Sequence, residues 1–118
     1  MAESILRDKA YAFAVRTVHL ARYLIEQKRE FVLSKQVLRS GTSIGANIEE
    51  ANQAQSRKDF IHKLSIALKE ATETNYWLRL LRDTQLLDEP LASSLLRDCG
   101  ELERILTSSI RTSKKADS

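Results

Sequence analysis

The stretch Ser40 to Ala51, SGTSIGANIEEA, holds two glycines inside what its period marks as a helix. Val37, Gly41, Ile44, Ile48 and Ala51 recur at steps of three and four, which lines them along one helical face, and Gly41 and Gly45 stand one turn apart. A glycine in a helix interior costs roughly 1 kcal/mol against alanine, so packing has to offset it. Bare backbone offers one thing to packing, which is room for a neighbouring helix to come closer than a leucine surface allows. Gly41, Gly45, Ile44 and Ile48 are therefore the expected helix-packing residues. The competing assignment is a loop across residues 40–45.

A chain of 118 residues suits one domain with a core of its own. One proline and three glycines among so many Leu, Ala, Arg, Lys, Glu and Ser residues point to an all-α fold. Cys99 is the only cysteine, which excludes an intrachain disulfide, and no Cys/His spacing resembles a zinc site. The first residues, MAESILRDKAYAF, are too charged for a secretory signal. No run approaches the ~20 apolar residues that span a bilayer, so a cytoplasmic protein without membrane contact is expected.

The pattern divides the chain into four helices. The first runs from Ser4, as N-cap, to Lys28, with Leu6, Ala10, Phe13, Thr17, Leu20, Ala21 and Leu24 in one stripe that Ala14, Val18 and Ile25 widen towards a second neighbour. A short link leads to Ser34, the expected cap of a second helix over residues 33–55. Asn47 lies at the edge of its apolar face, where a bond to backbone is the expected use and ligand reading the alternative. Ser56, with Asp59 three residues on, opens the third helix, whose inner face carries Phe60, Leu64, Ala67, Ala71, Thr74, Leu78 and Leu81. The alanines midway complement close packing in the second helix. Asp88, Glu89 and Pro90 open the fourth, with Leu91, Leu95, Cys99, Leu102, Ile105, Leu106, Ser109 and Ile110 inward. Short links between long helices describe an up-down-up-down four-helix bundle over residues 1–112, with residues 113–118 as a polar, flexible tail.

A second apolar line on the third helix, Ile66, Trp77 and Leu80, lies nearly opposite the core stripe and is interrupted by Glu73. These are the oligomer-interface candidates, with packing by a loop or chain end as the alternative.

Chemistry-bearing constellations are sparse. Bundles that hold two metals use inward glutamates and Glu-x-x-His pairs, whereas here only Asp59-Phe60-Ile61-His62 comes near that pattern and Asp59 is better placed as a cap. Glu70 and Glu73 sit outward, Cys99 sits in a core stripe, and GTSIG lacks the spacing and ending of a phosphate loop. A non-enzymatic protein with no metal and no cofactor is expected.

The net charge is +3, and basic residues exceed acidic ones only up to about residue 63. Topology gathers Lys28, Arg29, Lys35 and Arg39 towards one end of the bundle and Arg57 and Lys58 towards the other. These six are the nucleic-acid candidates, through phosphate rather than base stacking because aromatics are few. Glu26, Glu30, Asp83 and Glu89 share the first end, so a mixed solvated surface on a protein-only adaptor is the alternative.

FVLSKQVLRSGTSIGANIEEA (31 to 51) followed by SRKDFIHKLSIALKEATETNYWLRLL (56 to 81) resembles the bacterial four-helix-bundle family named for proteins encoded in 23S rRNA intervening sequences. The resemblance runs from about Tyr11 to Ile110. That family is similar in fold to the accessory variability protein of diversity-generating retroelements. The resemblance implies a left-handed up-down bundle, assembly into a ring, a homopentamer above all, and an RNA or nucleoprotein partner by analogy with the retroelement protein. It transfers no catalytic residue, and the molecular function of the family is unestablished.

Overall fold

The computed structural model describes residues 2–116, with side chains from Ile5 onward. Four helices follow one another: α1 (Ala2–Lys28), α2 (Leu33–Ala51), α3 (Arg57–Asp83) and α4 (Glu89–Ala116). They form an elongated bundle of 49 × 21 × 20 Å. Each helix packs closely on its neighbour in sequence, and α1 closes the square against α4 at a wider spacing.

The expected stripes form the core. Leu6, Phe13 and Leu24 of α1, Val37, Ile44 and Ile48 of α2, Leu64, Leu78 and Leu81 of α3, and Leu95, Leu102 and Leu106 of α4 are all buried. The stretch from Ser40 is helical throughout, which excludes the loop. Gly41 faces α1: a Cβ there would stand 2.6 Å from Thr17 Cγ2. Gly45 also faces α1, with Ala10 O 3.5 Å from its notional Cβ. The close approach is thus between α2 and α1, rather than with the alanines of α3. Towards α3 the small residue is Ser40, whose hydroxyl accepts from Thr74 Oγ1 at 2.8 Å in the interior.

The helix ends depart from expectation where the cap comes from outside the helix. α1 begins at Ala2, before Ser4, whose expected capping role lies outside the described side chains. Ser34 does not cap α2. The Glu30 carboxylate accepts from Ser34 N at 2.8 Å and Val32 N at 3.3 Å, while Ser34 Oγ is buried without a hydrogen-bond partner. The carboxylate satisfies two of the orphan donors of that terminus and carries the charge its dipole favours. Ser56 and Asp88 cap as expected, accepting from Asp59 N at 3.0 Å and Leu91 N at 2.9 Å.

α2 stops at Ala51, short of Gln55. Asn52 and Gln53 are exposed polar residues that give a further turn no apolar face to bury, and tight bonds from Gln53 N to Glu50 O and Ala54 N to Ala51 O end the ladder. Ser56 then takes the extended backbone a cap requires. At the other end α4 continues to Ala116, so the expected tail is helical from Ser113 to Ala116.

Among the described residues, two other than glycine adopt positive φ, Arg29 (52°) and Gln85 (66°). Each follows a helix end. At the end of α1, Glu30 N reaches six residues back to Leu24 O at 2.9 Å. At the end of α3, Leu86 N donates to Leu81 O at 2.9 Å and Gln85 N to Arg82 O at 3.0 Å, the paired bonds of a Schellman cap, and Leu87 N also reaches Leu81 O at 3.1 Å. Leu87 is thereby turned into the core.

Candidate nucleic-acid interface

The expected basic candidates separate into three situations. Lys28 ends α1, Arg29 occupies the left-handed turn and Lys35 lies in the first turn of α2, so the three surround one tight connection. All three side chains are exposed, and none makes a hydrogen bond or ion pair among the described residues. Phe31 and Val32 protrude between them, 52% and 68% exposed. Glu30, the acid of that turn, is drawn inward by the amides of α2.

Arg39 belongs to a different arrangement. Its guanidinium bridges from α2 to both Glu70, at 3.3 Å, and Glu73 of α3. Trp77 Nε1 donates to the same Glu73 carboxylate at 2.9 Å. The bonds from Trp77 and Arg39 hold Glu73 below the usual carboxylate range, and the Glu73 bond raises Arg39 in turn. A guanidinium engaged by two carboxylates is a clasp between helices, with little left for a phosphate. Arg57 and Lys58 are exposed at the start of α3, at the opposite end of the molecule from Arg29. The six candidates are therefore one cluster of three, one clasp and one distant pair.

Ile66, Trp77 and Leu80 are half-buried within the chain. Trp77 packs on the core margin and meets Tyr76 edge to face, with ring centroids 5.2 Å apart. The large apolar side chains that remain most open lie mainly on α1, where Ile5, Tyr11, Val15, Tyr23 and Ile25 are 37% to 70% exposed. Counting Ile25 as core hid this from the sequence, since α4 sits too far from α1 to cover so wide an arc.

The groups with reactive or ligand-binding side chains are occupied structurally. The Cys99 thiol donates to Ala71 O at 3.2 Å, and burial pushes its pKa up to about 12. Asn47 Nδ2 donates to Ser43 O at 2.9 Å, the backbone bond expected of it. Among the described residues no group of three or more His, Cys, Asp or Glu side chains could hold a metal ion, and no helix is long and apolar enough to cross a membrane.

A further row of cations went unread in the sequence. Arg97, Arg104 and Arg111 of α4 recur at steps of seven, and all three are exposed. Their spacing was available as a signal, but assigning basic residues to the two ends of the bundle put Arg111 with the second end and passed over Arg97 and Arg104.

Comparison with known proteins places this architecture. Residues 2–108 match the model of the family described as 23S rRNA-intervening sequence protein. A crystal structure of a protein of unknown function from the S23 ribosomal protein family of Bacteroides thetaiotaomicron is 53% identical, covers 94% of this chain and 99% of its own, and superposes with a TM-score of 0.93. No curated protein matches the chain.

Proposed function

This chain belongs to the 23S rRNA-intervening sequence protein family, and on that footing we propose that it is a non-enzymatic helical-bundle protein that self-associates and serves as an interaction scaffold for RNA or a nucleoprotein. The observation that carries the nucleic-acid part is the exposed trio Lys28, Arg29 and Lys35 around one turn, uncommitted to any carboxylate. Repetition of that turn in an assembly multiplies a field that one subunit of charge +3 supplies only weakly. Five copies is the ring proposed, as the resemblance implies, and the single cysteine suits a cytoplasmic setting. No cofactor is part of the proposal.

Binding of mixed RNA across a salt series tests it. Phosphate contact releases counterions, so affinity should fall steeply as salt rises. Absence of binding at low salt rejects the nucleic-acid part and leaves the second reading, a protein-only adaptor. That reading draws on the exposed apolar side chains of α1, which suit a protein surface better than a phosphate.

A further inference from the structure

The middle of α4 contains three acids and three arginines, and the fold sorts them. Asp98 turns towards α1 and takes Arg16 Nη1 at 2.6 Å, and Glu101 takes Lys9 Nζ at 3.3 Å across the same seam. Glu103 turns the other way, its Oε2 lying 3.5 Å from Thr72 Oγ1 of α3. Each acid is thus used where α4 meets a neighbour. The arginines are left facing outward. Arg97 and Arg111 make no hydrogen bond or ion pair among the described residues, and Arg104 interacts with Glu103 through charge without closing a salt bridge.

Residues seven apart on a helix lie about 10 Å apart and almost in line, so the three arginines are rooted along one side of α4 over about 21 Å of its axis. Gly100, Thr107 and Ser108 share that side, and α4 carries no aromatic residue. A protein partner would need a large apolar or aromatic anchor here, and beside Arg104 and Arg111 the groove against α3 offers the partly buried Leu68. A single strand held by stacking would need aromatic platforms, which α4 lacks. A line of cations rooted at even spacing, with hydroxyls between them, suits a rod with phosphates every few ångströms of its axis.

We propose that Arg97, Arg104 and Arg111 form a sequence-independent docking strip for the phosphate backbone of double-stranded nucleic acid. This rests on the scaffold reading above and adds a site on the flank of the bundle, separate from the α1–α2 turn. RNA and DNA duplexes present the same chemistry to it.

The test measures binding of the full chain to a short RNA duplex, a DNA duplex of equal length and oligouridylate across a salt series. R97Q/R104Q/R111Q is compared with K28Q/R29Q/K35Q, and helicity and assembly size are checked for both. The strip predicts that the wild type prefers duplexes. It also predicts that the α4 triple variant lowers the slope of log affinity against log salt by roughly three units per subunit engaged. Arg104→Gln alone should lower it by about one, which keeps the test open should the triple variant misfold. An unchanged slope in the α4 variants, with loss confined to K28Q/R29Q/K35Q, overturns the strip and leaves the scaffold reading standing. No binding by the wild type at low salt overturns both. Polyglutamate competing as well as duplex would assign the row to an acidic protein partner and overturn it as well.

Discussion

Gly41 of α2 lies directly against Thr17 of α1, so that a methyl group added to the glycine would stand 2.6 Å from Thr17 Cγ2 and 2.8 Å from its hydroxyl oxygen. Thr17 is buried and donates to Phe13 O at 2.8 Å, which fixes the rotamer and leaves it no direction in which to yield. Gly41→Ala should therefore destabilise the protein by about 1–3 kcal/mol through overpacking. Gly45 differs, since its added methyl would meet Ala10 at ordinary contact distances of 3.5 to 3.7 Å. Gly45→Ala should be neutral or stabilising by up to about 1 kcal/mol from helix propensity. Urea midpoints report both, and Thr17→Ala in the Gly41→Ala background should recover part of the loss. Equal losses at both glycines would refute the distinction.

Gln85 adopts φ 66° to close the end of α3, a conformation that costs a residue with a Cβ about 1 kcal/mol or more. Gln85→Gly should remove that strain while the bond from Leu87 N to Leu81 O persists. The expected gain is about 0.5–1 kcal/mol, or roughly 2–5 °C in Tm. A lower Tm would show that the turn is held by the glutamine side chain instead.

Glu73 has a folded pKa below its ordinary value because Trp77 and Arg39 bond to its charged form. Stability from this group is therefore present above pH ~4.5 and is lost as pH falls through the depressed folded value. The site is largely open to solvent, so the contribution should stay under about 1 kcal/mol. Trp77 is the only tryptophan, which makes its emission a direct report on that carboxylate. An acid-side change in emission is expected in the wild type and should vanish in Glu73→Gln.

Cys99 should resist thiol reagents in the folded protein at pH 8 and react fully in denaturant. Burial is the main reason its thiol is raised to about 12, so folding stability should be complete below pH ~9 and decline as pH rises from there towards the folded value. Labelling of the native protein at the rate of the unfolded chain would contradict the burial of the sulfur.

The proposed self-association can be tested at two surfaces. Tyr11 is 70% exposed on α1, so Tyr11→Glu alters the surface with little effect on the core. Smaller particles of unchanged Tm are expected by light scattering. Trp77→Glu should also reduce assembly size, but with a lower Tm because Trp77 packs on the core within its own chain. Native size in both variants would place the interface elsewhere.

What could be read in advance was what depends on short sequence distances. The stripes of the four helices, the Ser56 and Asp88 caps and the inward Cys99 follow from residue type and offset alone. The Glu30 cap was missed because a glutamate reaching forward to α2 is recognisable only once the turn at Arg29 has folded back. Arg39 looked like a surface cation until α3 brought Glu70 and Glu73 beside it.

The order of apolar residues along the chain determined that this protein is four helices, where most of them begin, and which side of each turns inward, because periods of three and four and local caps act within a few residues. Tertiary structure alone decided which charges neutralise one another and which stay free. Asp98 and Glu101 find Arg16 and Lys9 only across the seam between α4 and α1. Whether an ion is spent inside the fold or left for a partner depends on distances between segments far apart in the chain.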